Sequence, residues 1–294
     1  MHTASRTATR PTYVGIGAQK CASTWLHRML EAHPQVCVPA VKEVDFFSYR
    51  FDRGYQWYER CFAGRHDSTQ PARACGEISP SYFSEPAVPA RVAAYLPEAK
   101  ILVSLRDPVQ RALSNHRHEV KEGHLAGDDL SFEYGLRNNP MYVEQGRYAT
   151  HLKKWLRHFA RDQILVILMD DVEADPGGVC RKVYEFVGVD GSFVPPGHEE
   201  RQNGSYATRS PTLTKIKDAA YATTRAPGLR WAWEFAAAAG LKPLYRGLNV
   251  VPSEAVIPPP QPETLAHLRQ TFEPEIRELE TLLDRSLCSW LQQH

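Results

Sequence analysis

Twice along the chain a short apolar run gives way to a turn and then to apolar residues stepping at helical spacing, the rhythm of a parallel sheet wrapped by helices. The first run is Tyr13 to Gly17, leading to a helix expected from about Thr24 to His33, which Pro34 closes. The second is Lys100 to Leu105, after which Arg106-Asp107-Pro108 opens a helix through Ser114 toward Glu122. Asp107 there reads as an N-cap, with proline at the first helical position. A third run, Ile164 to Met169, precedes Asp170-Asp171 and an amphipathic helix from about Gly177 to Val187, and apolar pieces near Val36 and Cys75 supply further strands. The pattern predicts one α/β domain over residues 13–294, a central parallel β-sheet of the P-loop type flanked by helices. Residues 1–12 are polar and read as a disordered tail. From about residue 204 to 262 the pattern loosens into basic residues, alanine runs and a proline-rich stretch, a variable insertion. Pro262 to Leu291 returns to helix, with Leu265, Leu268, Phe272, Ile276, Leu279 and Leu282 on a packed face.

Composition narrows the function without choosing it. The 294 residues are 43% hydrophobic and 23% charged, enough for a sizeable core, and a net charge of +1 gives no reason to expect nucleic acid as a partner. Any anion site must be local. The most apolar stretch, Trp231 to Leu241, is too short to span a bilayer and is interrupted by Glu234, so a soluble protein is expected. The six cysteines form no C-x-x-C pair, which fits reduced, mostly buried thiols in a cytoplasm. His116 and His118 lie two apart on a helix and so face different ways; they read as exposed helix histidines, and no metal is expected.

The candidate chemistry starts at Gly17. Gly17, Ala18, Gln19, Lys20, Cys21, Ala22, Ser23 and Thr24 fill the frame of a Walker A loop, but its terminal Gly-Lys has become Ala22-Ser23. Without the lysine that reaches the β- and γ-phosphates, triphosphate chemistry is disfavoured. Lys20, placed earlier, suits a nucleotide whose 5′ end is shorter and carries its own transferable anion, as 3′-phosphoadenosine 5′-phosphosulfate (PAPS) does. Residues Gly17 to Trp25 would cradle that end with loop and helix N–H groups, Lys20 and the hydroxyls of Ser23 and Thr24. Arg106 leaves a strand at its carboxyl end and Ser114 follows about two helical turns later, a guanidinium and a hydroxyl suited to a 3′-phosphate; an ion pair with a helix carboxylate serves Arg106 equally well. In Lys42-Glu43-Val44-Asp45-Phe46-Phe47, Glu43 and Asp45 share one face if the segment is extended, and either could deprotonate an acceptor; the alternative is a solvated loop whose aromatics tuck under the sheet. Tyr55, Trp57, Tyr58 and Tyr82 line an apolar cleft or belong to the core.

In order and spacing these segments resemble the PAPS-dependent sulfotransferase family, its heparan sulfate and bacterial branch more than the cytosolic phenol and steroid enzymes. Ile16 to Thr24 with His33-Pro34 resembles the 5′-phosphosulfate loop and first helix, Gly76 to Phe83 a substrate-cleft motif, and Leu105 to Ser114 the 3′-phosphate motif. Tyr148 to Phe159 and Phe272 to Trp290 are similar to further family segments. The resemblance implies Glu43 as general base, Lys20 as the cation on the leaving oxygen, transfer to a hydroxyl or an amine of a small-molecule or carbohydrate acceptor, and no metal. Three departures stand out. The catalytic lysine that follows the glutamate of the third motif is Ile78 here, the basic loop that closes on the 3′-phosphate has only Arg201 or Arg209 to stand in, with Arg209 preferred, and the paired C-terminal cysteines are missing. The rival readings are a P-loop kinase holding Mg²⁺ on Asp170 or Asp171, and a donor-binding module without activity.

Overall fold

The computed structural model describes residues 10–63, 72–199, 206–208, 250–252 and 255–292. In chain order the elements are β1 (Tyr13–Gly17), α1 (Ser23–Ala32), β2 (Val36–Cys37), α2 (Phe46–Tyr49), α3 (Tyr55–Arg60), β3 (Ala74–Ile78), α4 (Val88–Tyr95), β4 (Lys100–Leu105) and α5 (Pro108–Lys121). There follow α6 (Phe132–Asn138), α7 (Met141–Glu144), α8 (Tyr148–Leu156), β5 (Ile164–Leu168), α9 (Met169–Ala174), α10 (Pro176–Val187), β6 (Tyr206–Thr208), β7 (Val250–Pro252), α11 (Pro262–Leu283) and α12 (Cys288–Leu291).

Two compact units share the chain, one built from residues 1–111, 143–202 and 268–294, the other from 112–142 and 203–267. The first holds a five-stranded sheet in the order β2-β3-β1-β4-β5, every pairing parallel. Such a sheet is covered on both faces, which is why β1 and β3 are buried along their whole length and read as nearly unbroken apolar runs. On one face α1 and α10 pack through Trp25, Leu26, Met29, Val179, Val183 and Tyr184 against Tyr13, Leu102 and Ile167. The strand-to-helix rhythm of the sequence is therefore the fold, with α1 starting one residue earlier than expected and Asp107 Oδ1 capping α5 by accepting from the N–H groups of Val109 (2.7 Å) and Gln110 (3.0 Å).

In the second unit β6 and β7 pair antiparallel, and Val120 packs with Leu125, Leu130, Val256 and Ile257. Here one expectation fails. His116 is 2% exposed rather than a surface histidine, because the chain of residues 130–142 covers its side of α5. Its Nδ1 meets the Tyr142 hydroxyl (3.1 Å) and its Nε2 the Leu130 carbonyl (3.0 Å), so both ring nitrogens are engaged.

A second expectation fails in the first unit. Residues 41–45 are not a strand, so alternation does not govern Glu43 and Asp45. Asp45 adopts left-handed backbone angles (φ 53°, ψ 29°) and α2 starts at Phe46, which turns the two carboxylates independently of each other. The aromatic question divides: Tyr58 and Tyr82 are core residues at 0% exposure, whereas Tyr55 is 38% exposed and stacks on Tyr95 with centroids 4.0 Å apart. Arg201 and Arg209 lie outside the described residues, as does most of the 204–262 insertion.

Candidate active site

The loop after β1 is shaped by its backbone. Gly17 sits at φ +128°, where a Cβ would come 2.7 Å from the Pro80 carbonyl oxygen, so the first position of the frame must be glycine. The Ala18 N–H donates to the Ser104 carbonyl (2.7 Å) and the Ser104 hydroxyl to the Gly17 carbonyl (3.3 Å), tying the loop to β4. Lys20 and Ala22 both take left-handed conformations (φ 65° and 63°), and no side chain caps α1. The turn thereby leads into a helix N-terminus whose first N–H groups no side chain caps. Gln19, Lys20, Ala22, Ser23 and Thr24 are partly exposed along this turn, while Ala18 is buried beneath it. Trp25 belongs to the first helical turn, but its indole is in the core and donates to the His198 carbonyl (2.9 Å), so the ring anchors α1.

Arg106 emerges where β4 ends, beside this loop. The link is electrostatic as well as spatial: burial pushes the Cys21 thiol pKa up, while a hydrogen bond with Tyr148 and the charges of Arg111 and Arg106 pull it down. Arg111, which the sequence reading did not single out, is fully buried and donates to Gln145 Oε1 (3.1 Å). Its signal was its place one turn into α5, on a helix that begins at the carboxyl end of a strand. Ser114 stands partly exposed further along α5.

Glu43 reaches the loop through its neighbour. Lys42 Nζ lies 2.9 Å from Glu43 Oε1 and 3.4 Å from Ser23 Oγ, so one ammonium touches both the candidate base and the start of α1. Glu43 remains 36% exposed and Lys42 17%. Asp45 turns elsewhere, accepting from the Ser81 hydroxyl (2.6 Å). Ile78 packs in the core against Gly15 and Tyr13, so a lysine's place in the cleft is not vacated there but filled with apolar surface.

Beneath the 41–49 segment lies Glu77, also missed from sequence, 1% exposed on β3. It accepts from Ser79 Oγ (2.5 Å) and Tyr82 Oη (2.6 Å). Burial nonetheless raises its pKa to about 7, with those hydroxyls opposing the shift.

At the end of β5, Asp171 receives both guanidinium nitrogens of Arg285 (2.6 Å each) and Asp170 the Trp290 indole N–H (3.1 Å). The carboxylates that a kinase would turn toward Mg²⁺ are committed to α12 and the turn before it. Among the described residues no group of three or more His, Cys, Asp or Glu could hold a metal, and no helix is long and apolar enough to cross a membrane.

Comparison with known proteins gives the family. The family profile described as Sulfotransferase domain matches residues 12–207. Mouse heparan sulfate glucosamine 3-O-sulfotransferase 3B1 is 31% identical over 188 residues, covering 61% of this chain and 46% of the relative. Mouse bifunctional heparan sulfate N-deacetylase/N-sulfotransferase 4 is 31% identical over 201 residues, 61% of this chain and 22% of that protein. The chain thus spans less than half the length of these two relatives. The crystal structure of a sulfotransferase from Alicyclobacillus acidocaldarius superposes with a TM-score of 0.69 at 26% identity, covering 97% of this chain and 100% of the other. A profile that spans the phosphate loop, the Glu43 segment and the Arg106 turn together leaves one assignment: the chain belongs to the sulfotransferase domain family.

Proposed function

We propose that the protein transfers a sulfuryl group from PAPS to a hydroxyl, or second an amine, of a small-molecule or glycan acceptor. The observation that carries this reading is Lys42, whose ammonium joins Glu43 to Ser23 and so brings a carboxylate to the edge of the anion-binding loop. The acceptor oxygen attacks sulfur as the bond from sulfur to the 5′-phosphate oxygen breaks, and Glu43 takes the acceptor's proton. Lys20 and the loop N–H groups, with Ser23 and Thr24, meet the charge that builds on the departing phosphate oxygen. Lys42 supplies a second cation, the role that Ile78 cannot fill. The partly exposed donors of the loop suit an anion at one end of the nucleotide, and Arg106 with Ser114 suits the 3′-phosphate at the other. Sulfuryl transfer of this kind relies on positioning and electrostatics, with no covalent intermediate on the protein. The six cysteines form no C-x-x-C pair and four of them are buried, which suits a reducing compartment, and we assign the reaction to the cytoplasm.

The test is release of 3′-phosphoadenosine 5′-phosphate (PAP) from PAPS across a panel of phenols, alcohols, amines and glycans, beside ATP with Mg²⁺. Sulfated product with PAPS and none from ATP is expected, and Lys42→Ala should lower the rate by about tenfold or more while PAP affinity holds. Turnover of ATP without turnover of PAPS would overturn the reading, and an unimpaired Lys42→Ala enzyme would remove Lys42 from it.

A further inference from the structure

Two hydrogen-bond relays leave the carboxyl of Glu77 and end on the backbone that follows Glu43. In the first, Ser79 Oγ donates to Glu77 Oε2 (2.5 Å) and accepts from the Asp45 N–H (2.9 Å). In the second, Tyr82 Oη donates to Glu77 Oε1 (2.6 Å) and accepts from the Phe47 N–H (3.2 Å). Each hydroxyl has its single hydrogen committed to the carboxylate, which leaves its oxygen to receive the amide. Further contacts hold the same stretch from outside: Arg50 donates to the Val44 carbonyl (3.0 Å) and Arg91 to the Phe47 carbonyl (2.7 Å).

We propose that Glu77 is a positioning residue for sulfuryl transfer, its carboxylate acting through Ser79 and Tyr82 to fix the turn at Asp45–Phe47 and thereby the place of the Glu43 side chain. This role rests on the transfer reaction proposed above. In its ionised form the carboxyl accepts from both hydroxyls at once. A protonated Glu77 would donate to one of them, whose oxygen can still receive its amide but whose own hydrogen must turn elsewhere, which loosens that relay. The groups facing the carboxyl are Ser79 and Tyr82, Asp45 of the supported turn, Tyr58 of α3 with Cys61 just after it, and Tyr13 of β1. Asp45 is the charge among them that opposes ionisation, after burial itself. The buried Tyr58 hydroxyl has no hydrogen-bond partner and faces the same carboxyl, a spare donor that favours the ionised form. With a pKa of about 7, the relay state changes across neutral pH.

The experiment follows amide hydrogen exchange of residues 44–48 in the ligand-free protein from acid to alkaline pH, with exchange corrected for its intrinsic pH dependence, in wild type, Glu77→Gln, Ser79→Ala and Tyr82→Phe. PAP affinity and PAP release from PAPS, with water alone as acceptor, are measured on the same proteins. Wild-type protection at Asp45 and Phe47 should rise through neutrality, and Glu77→Gln should abolish that step. Ser79→Ala should deprotect Asp45 and Tyr82→Phe should deprotect Phe47, each variant keeping PAP affinity and losing about tenfold or more in PAPS turnover. Should Glu77→Gln not fold, the two hydroxyl variants and the wild-type pH series decide alone. Unchanged protection in those variants, or changed protection with unchanged turnover, overturns the proposal. A wild type that binds PAP but never turns over PAPS counts against the transfer reading, while hydrogen exchange still decides the relay.

Discussion

Between β1 and α1 the chain keeps its shape with its own backbone, whereas between β2 and α2 it keeps its shape with side chains that come from more than thirty residues away. Gly17, Lys20 and Ala22 adopt positive φ and the Ala18 N–H bonds to the adjacent strand, so the loop proposed to hold the anion follows from strand, turn and helix. The Glu43 segment has no such frame. Its turn hangs from Ser79, Ser81, Tyr82 and Arg91, all on or after β3. In the proposed reaction that difference separates binding from chemistry: the nucleotide end of the site is built on the parallel sheet, and the proposed base, Glu43, is carried on a segment whose position depends on a buried, titratable network.

The sharpest way to break that division is Glu43→Gln. Removal of a general base typically costs on the order of a hundredfold or more in rate. PAP affinity measured by calorimetry should be unchanged, since no loop amide depends on Glu43. Asp45→Asn is the control, because Asp45 already accepts from Ser81 and its loss should act through the turn. Collapse of Asp45→Asn with near-normal Glu43→Gln would pass the role to Asp45.

What could be read from the sequence follows the same line. The strand-helix units, the Asp107 cap and the turn after β1 are encoded by neighbours, so spacing placed Gly17 to Thr24 and Arg106 at the carboxyl ends of their strands. The conformation of residues 41–45 is set by contacts with β3 and the turn after it, and alternation misjudged it. Glu77 and Lys42 each stood in the sequence only as a member of a motif segment, since nothing local says that one is buried and the other touches Ser23. His116 was misjudged for the same reason: the side of α5 that is covered depends on chain 14 to 26 residues later.

Glu77 gives the next largest effect, on stability. Its folded-state pKa is raised to about 7 from an ordinary 4.5, so between those values the folded protein holds a proton that the unfolded chain has released. Stability due to this group is present in acid and declines as pH rises through neutrality. The difference in unfolding free energy between wild type and Glu77→Gln should therefore fall by up to about 3 kcal/mol from pH 5 to pH 8. Urea titrations at several pH values measure it directly. A difference independent of pH would show that Glu77 does not titrate in this range.

On the loop side of the comparison, Arg106→Ala should weaken PAP by roughly 1.5 to 3 kcal/mol, the scale of a lost charge-assisted hydrogen bond, and leave the affinity for AMP nearly unchanged. The contrast between the two nucleotides isolates the 3′-phosphate. Equal weakening of both would move Arg106 to the 5′ end, where its charge already acts on Cys21.

The smallest effect is expected at Arg285, and it tests whether the carboxyl end of β5 belongs to the site at all. Arg285 grips Asp171 with two hydrogen bonds, yet the side chains are 46% and 31% exposed, so solvent screens the pair. The hydrogen bond from Arg285 holds the Asp171 carboxyl below its usual pKa, which makes this stability present at neutral pH and lost as pH falls through the folded value. Paired geometry favours the upper part of the range for exposed ion pairs, so the coupling energy from Arg285→Ala, Asp171→Asn and the double variant should be about 0.5 to 1 kcal/mol and should shrink in high salt. PAP affinity and PAPS turnover should be untouched by either change, with EDTA present or absent. A collapse of turnover in Asp171→Asn, or turnover that Mg²⁺ restores, would instead draw β5 into the chemistry and reopen the phosphoryl-transfer reading.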